Sequence, residues 1–189
     1  MTCCVGIKYK GDVYLGGDAA ASKGDLILKY KDPKVFKVGI FGIAYTTSYR
    51  MADILQYSLI PPVWNPKKIS LEKYMRTSFI NAIRKAFLEN GFGTLAGNTG
   101  GEKDDIILGD EGGEFLVGVA GRLFIVAADY AIGECFLDYA SVGSGSSYAL
   151  GSLHSTVGSG RIRLLKALEA ASEYNSGVRP PFTILKIEK

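Results

Sequence analysis

The sequence predicts an α+β fold, a four-layer αββα sandwich in which two antiparallel sheets lie face to face between two helical layers. Three observations predict it. Short apolar runs bounded by glycine or proline fill residues 3–44 and again 115–142, and read as strands joined by tight turns. Helical periodicity interrupts them twice, first after residue 46 and again after residue 143. One last apolar run at 182–187 closes the chain.

Residues 3–9 and 12–17 are β-type runs separated by Lys10-Gly11, a hairpin signal, so Thr2 opens the first strand. Asp18 ends the second strand and is followed by Ala19, Ala20, Ala21 and Ser22, which holds a carboxylate where strand gives way to loop. Residues 26–30, 34–38 and 39–44 read as further strands of a meander, punctuated by Asp32-Pro33 and Gly39. Lys34 begins a run that enters the core. A lysine there stays solvated unless a carboxylate meets it. From residue 46 the period is helical, with Met51, Ile54, Leu55 and Leu59 on one face, and Pro61-Pro62 ends it. A second helix spans 71–89 behind Ser70, carries Leu71, Met75, Phe79, Ala82, Ile83, Ala86 and Phe87 on its apolar face, and stops at Asn90-Gly91.

Residues 91–114 contain eight glycines and the pair Asp104-Asp105, so they read as loop or a poorly ordered hairpin. The acidic patch at 102–105 lacks the alternating spacing and distal glutamate of a calcium loop. Three strands follow at 115–120, 123–128 and 134–142. The turn Gly143-Ser144-Gly145 then leads into a helix; with no Lys-Ser or Lys-Thr after it, it is a weak phosphate cradle. The last helix, 160–174, turns Ile162, Leu165, Leu168, Ala171 and Ser172 inward and stops at Asn175-Ser176-Gly177. No repeat or linker divides the chain, so residues 1–189 read as one domain.

Composition narrows the chemistry. A chain of 189 residues that is 47% hydrophobic can bury a sizeable core. Its net charge of +3 is spread without a basic run, which argues against a nucleic-acid partner. Apolar runs break well short of the roughly 18 residues of a membrane span, and no basic stretch precedes an apolar one at the N-terminus. The expectation is a soluble, cytoplasmic protein with no membrane partner. Three cysteines, Cys3, Cys4 and Cys135, are odd in number and without a CxxC, so no disulfide framework is expected. The single histidine, His154, would have to serve any Ser-His-Asp triad and reads as an ordinary helix residue. If the chain is a hydrolase, its base is something other than histidine.

Thr2 lies one peptide bond from Met1. Loss of Met1 would leave a β-hydroxyl and a free α-amine on one residue, a nucleophile with its own general base. Taken alone, Thr2 is simply a strand-initial residue. With Asp18, Lys34 and Gly143-Ser144-Gly145 also placed, the chain resembles the catalytic β-type subunits of the proteasome and, more closely, the HslV peptidase, both N-terminal nucleophile (Ntn) hydrolases. Leu15-Gly-Gly-Asp18 falls where that family has the aspartate ending its second strand, and Lys34-Val-Phe where it has the catalytic lysine. Gly42, within Ile40-Phe-Gly-Ile-Ala, matches the glycine whose N–H helps form the oxyanion hole. Ser144 matches the serine of the family's GSG turn, and Tyr148-Ala-Leu follows as in HslV. Asn175 departs from the pattern, standing where proteasome subunits carry an aspartate; region 61–114 departs more broadly.

The resemblance implies a threonine-type peptidase that hydrolyses peptide bonds in unfolded polypeptide through Thr2 once Met1 is removed, without a cofactor. Lys34, held by Asp18, would favour the activated nucleophile, and Ser144 would orient the amine and a water. Ala21, Asp32, Phe36, Ile40 and Ala44 would lie near the first specificity pocket. It also implies a homo-oligomeric ring fed by an ATPase unfoldase. Two other readings stay open: a catalytically silent ring or scaffold subunit that retains Met1, and an amidohydrolase acting on a small amide. Cys3 as nucleophile would require loss of Thr2 as well.

Overall fold

The computed structural model describes residues 1–23, 26–92, 94–95, 106–107 and 113–189. β1 (Cys4–Tyr9) and β2 (Asp12–Gly17) form the expected hairpin. It turns at Lys10 and Gly11, with φ of 52° and 87°, the mirror-image turn that matches the twist of the flanking strands. β3 (Ala20–Lys23) and β4 (Leu26–Lys29) pair with each other as a separate two-stranded ribbon instead of extending the meander. β5 (Val35–Val38) and β6 (Phe41–Tyr45) form the next hairpin.

α1 (Tyr49–Tyr57) begins at the cap Ser48, whose Oγ accepts the Met51 N–H at 3.2 Å. The predicted second helix is not uniform: α2 (Leu71–Tyr74) passes through a π-helical turn at Met75–Phe79 into α3 (Ile80–Glu89). β7 (Thr94–Leu95) and β8 (Ile106–Ile107) pair briefly. The acidic patch at 102–105 and most of the glycine-rich stretch lie outside the described residues. β9 (Phe115–Val119) and β10 (Arg122–Val126) form a hairpin. The run 134–142, expected as one strand, is two: β11 (Ile132–Glu134) and β12 (Tyr139–Val142) lie in different sheets. Its two ends are tied apart, since Cys135 N–H donates to Leu123 O at 3.0 Å while Asp138 O accepts from Lys8 N–H at 2.6 Å. α4 (Ser146–Ser155), α5 (Gly160–Tyr174) and β13 (Thr183–Ile187) complete the chain.

The sheets are ordered β12-β1-β2-β13 and β11-β10-β9-β6-β5, antiparallel throughout. Strand alternation explains how they stack between helices. Cys3, Val5 and Ile7 face α4 and α5 in one apolar cluster with Leu153, Leu164 and Leu168. Phe41, Ile43, Phe115, Val117 and Phe124 face α1 to α3 in a second, where Phe41 and Phe79 rings lie 4.6 Å apart. Residues of the opposite parity, Cys4, Val13, Leu15, Ala44, Leu116 and Leu123, fill the space between the sheets. The αββα sandwich is therefore what the chain adopts.

The phase of α5 matches expectation at Leu168 and Ala171 and differs at Ile162 and Leu165. Leu164, Ala167, Leu168 and Ala171 are buried, while Ile162 is exposed and Leu165 only half-buried, because β1 and β2 meet the helix along that other stripe. Gly42 sits mid-strand in β6, opposite Lys37 on one side and Gly118 on the other. A Cβ there would overlap Ile187 and lie 3.2 Å from Leu15 Cδ1, so its smallness lets the sheets approach. Gly42→Ala is expected to lower stability by about 1–3 kcal/mol through overpacking. Urea unfolding should show that cost shrinking in an Ile187→Ala background.

Candidate active site

The two sheets meet at one end around a buried lysine. Gly17 closes β2, and a Cβ on it would lie 3.1 Å from Lys34 Cβ, so the glycine leaves room for Lys34 to enter beneath the strand end. The Lys34 side chain is only 3% exposed and Asp18 and Thr2 are 2% and 6% exposed. An ammonium has three donors, and each finds an acceptor: Asp18 Oδ1 at 2.9 Å, Thr2 Oγ1 at 2.9 Å and Ala20 O at 2.6 Å. The carboxylate is satisfied as fully. Asp18 Oδ1 also accepts Cys3 N–H at 3.0 Å, and Oδ2 accepts Ala20 N–H at 2.9 Å and Arg179 N–H at 3.3 Å. Burial of such a pair is tolerated because every hydrogen-bonding capacity is met.

Thr2 is held from its other side by the turn after β12. Its N–H donates to Ser144 Oγ at 3.1 Å, and its carbonyl accepts Gly145 N–H at 3.1 Å. Gly143 has φ of 94°, and a Cβ on it would run into Thr2 O, so the turn demands glycine twice over. Asn175 donates its amide to Ser144 O at 2.9 Å and accepts Gly177 N–H at 3.0 Å, which braces this turn against the end of α5. Thr2 Oγ1 donates to Met1 O at 2.7 Å, and the Met1 side chain lies over Gly177.

Thr2, Asp18, Lys34, Ser144 and Asn175 thus come together; Gly42 does not. Lys34 O accepts Tyr45 N–H at 3.1 Å, so the level of Lys34 along β6 is Tyr45, and Gly42 is three residues, about 10 Å, further along. With a partner strand on each side, the Gly42 N–H points into the ladder. Among the pocket residues, Phe36 and Ala44 are buried in the helix-side and inter-sheet cores. Ile40 is exposed at the far turn of the β5–β6 hairpin, where it lines a cleft of about 250 Å³ with Phe41, Pro61, Pro62 and Trp64. Strand parity and hairpin length set these three positions. Ala21 is buried in β3 beside Ala20, and Asp32 is exposed two residues before Lys34.

Aromatic residues that no motif marks stand beside the site. Tyr49 donates to Ala20 O at 3.5 Å, and its ring meets those of Tyr30 and Tyr45 edge-on at 4.8 and 6.0 Å. Burial first, and then the Asp18 charge, push the Tyr49 hydroxyl up to about 12, and Tyr45 is raised by burial as well, so both remain neutral. Burial likewise pushes the Cys3 thiol up to about 12 and Cys4 well above the usual thiol range. His154 is remote from this cluster, its Nδ1 2.9 Å from Tyr139 Oη. Among the described residues, no group of three or more His, Cys, Asp or Glu could hold a metal ion, and no helix is long and apolar enough to cross a membrane.

No family model and no curated protein matches the chain. Solved structures do. BPH from Thiobacillus denitrificans, in complex with epoxomicin, superposes with a TM-score of 0.74 at 19% identity over 98% of each chain. Eukaryotic HslV from Trypanosoma brucei gives 0.68 at 15% identity over 99% of each. Anbu (ancestral beta-subunit) from Yersinia bercovieri gives 0.66 at 14% identity, covering 98% of this chain and 81% of that one. The fold is that of the proteasome-like Ntn hydrolases. In this Ntn fold the residues that sequence reasoning missed are Ala20, through its carbonyl, the Tyr30, Tyr45 and Tyr49 cluster, and Arg179. Only the tyrosines carried any signal, as aromatics flanking Lys34 in sequence.

Removing one partner of the buried pair should be costly. Asp18→Ala is expected to destabilise by about 3–5 kcal/mol, because it strands the Lys34 charge. Denaturant titration should show the Asp18→Ala/Lys34→Met double variant losing less than the sum of the single losses. The thiols supply a second check. At pH 8, well below the raised values of Cys3 and Cys4, a thiol-specific disulfide reagent should leave both unlabelled until the chain is unfolded.

Proposed function

We propose that this chain is a threonine-type peptidase of the proteasome and HslV kind, with Thr2 as nucleophile once the Met1–Thr2 bond has been cleaved. One observation carries the reading: the buried Lys34 ammonium joins the Thr2 hydroxyl to Asp18, while Ser144 Oγ stands at the Thr2 nitrogen. In the cleaved chain that nitrogen is an α-amine with an ordinary pKa of about 7.7–8.0, suited to act as a base near neutral pH. It takes the hydroxyl proton, directly or through a water, as Oγ1 bonds to the scissile carbonyl carbon. The tetrahedral intermediate collapses, the C–N bond breaks, and the proton passes to the departing amine. An ester on Thr2 remains. Water, deprotonated by the same amine, adds to that ester and releases the acid product, restoring Oγ–H. Lys34 keeps a fixed positive charge 2.9 Å from Oγ1 throughout, which favours the negative charge developing there.

The substrate class is peptide bonds in unfolded polypeptide, and the setting is a soluble, cytoplasmic homo-oligomeric ring supplied by an ATPase unfoldase. The likeness to BPH, HslV and Anbu supports the hydrolase class. A second reading has its own observation. The Thr2 hydroxyl donates to Met1 O, and Met1 covers Gly177, an arrangement suited to a silent subunit that keeps Met1.

The intact mass of the protein from its native host separates the two, since the peptidase must lack the Met1 residue. A chain beginning at Thr2 is expected to hydrolyse unstructured peptides and to be captured covalently by epoxomicin. Thr2→Ala and Lys34→Ala should each lower kcat on the order of 10³-fold or more, and kcat/KM should decline as pH falls below the pKa of the amine. Undiminished turnover by Thr2→Ala would remove the assignment.

A further inference from the structure

α5 ends without the usual left-handed closure. Its cap, Asn175, is extended (φ −116°, ψ 116°), so the last carbonyls of the helix and of the turn that follows need donors from elsewhere. Arg179 supplies them. A single guanidinium nitrogen, Nη1, donates to Ser172 O at 3.1 Å, Asn175 O at 3.1 Å and Val178 O at 2.8 Å. A cation at the C-terminal end of a helix also complements the helix dipole.

The same residue reaches the site by two routes. Its own N–H donates to Asp18 Oδ2 at 3.3 Å, and its carbonyl accepts Ala19 N–H at 2.9 Å, so the backbone of residue 179 is stitched to the loop that presents the carboxylate. Asn175, whose carbonyl the guanidinium holds, donates its side-chain amide to Ser144 O, and Ser144 Oγ receives the Thr2 N–H. One route therefore ends at the charged side of Thr2 and the other at its nitrogen.

We propose that Arg179 is a positioning residue for the Thr2 site: by folding residues 175–178 back onto the end of α5, its guanidinium fixes Ser144 and Asp18 in one register. It acts through Asn175 and through its own backbone contacts with Asp18 and Ala19. The proposal rests on the reading of Thr2 as nucleophile.

Three chains beginning at Thr2 test it: wild type, Arg179→Met, which keeps an apolar stem without the fork, and Arg179→Lys, which returns a cation and three donors. The readouts are kcat and KM on a peptide, the rate of capture by epoxomicin, the titration midpoint of the Thr2 α-amine followed by ¹⁵N NMR, and circular dichroism for the fold. Arg179→Met is expected to stay folded, with kcat and capture rate reduced roughly 10- to 100-fold, KM nearly unchanged, and a displaced amine midpoint. Arg179→Lys should recover a large part of each. A folded Arg179→Met with wild-type kcat and midpoint would overturn the proposal, as would a lysine variant no better than methionine. If Arg179→Met does not fold, Arg179→Gln, which keeps an amide donor, replaces it under the same expectations. The amine titration needs no turnover, so an inactive wild type would sink the peptidase reading while the titration still judges the role of Arg179.

Discussion

The buried Asp18–Lys34 pair is the constraint on which the rest of the site depends. Taking a carboxylate and an ammonium out of water costs several kcal/mol each, a cost offset only when each hydrogen-bonding capacity is met. Here three acceptors surround the ammonium and four contacts saturate the carboxylate. They come from five separate places: the residues leading into β1, the end of β2, the start of β3, the start of β5 and the segment after α5. None can move by much without orphaning a buried charge. The position of Thr2 Oγ1 is thus fixed by electrostatics as much as by packing.

The sandwich is what brings those places together. Thr2, Asp18 and Ser144 belong to ends of strands in the four-stranded sheet, while Lys34 opens a strand of the five-stranded one. The site therefore bridges the gap between sheets, and contacts of 2.9 Å set how closely the sheets must lie. Gly6, Gly42 and Gly118 face that gap and leave the space that Leu123, Ile187 and Val13 occupy. A larger residue at any of them would strain the inter-sheet spacing, and with it the reach of Lys34. Fold stability and site geometry are here the same variable, read at two ends of one interface.

This coupling also explains what could be read from the sequence. Period-2 alternation and two helical stretches were enough for the four layers, because burial on both faces of a sheet dictates both patterns. Turn chemistry marked Thr2, Asp18, Lys34 and Ser144 only as residues where a strand begins or ends; it was their joint spacing, resembling the Ntn hydrolase pattern, that made them site candidates. Gly42 misled for an instructive reason: a glycine in a strand signals close approach, and the close approach here is to Ile187 in the other sheet, not to a reacting oxygen. The split of 134–142 between sheets left no mark, since Cys135 to Asp138 carry neither glycine nor proline. Arg179 was equally silent, because a guanidinium closing a helix end has no fixed spacing to announce it.

What distinguishes the chain as it stands from the proposed catalyst is one peptide bond. With Met1 attached, the Thr2 nitrogen is an amide whose lone pair is delocalised into the Met1 carbonyl, so it can donate to Ser144 but cannot take a proton from Oγ1. The Oγ1 hydrogen instead goes to that same carbonyl. Cleavage would replace both interactions at once: the nitrogen becomes basic, and the hydroxyl loses the acceptor that had engaged its proton. Lys34 approaches Oγ1 as a donor, held in turn by Asp18 Oδ1 and the Ala20 carbonyl. The Asp18–Lys34 pair is therefore already formed with Met1 attached, and in the proposed catalyst the change at Thr2 would be the conversion of an amide into an amine.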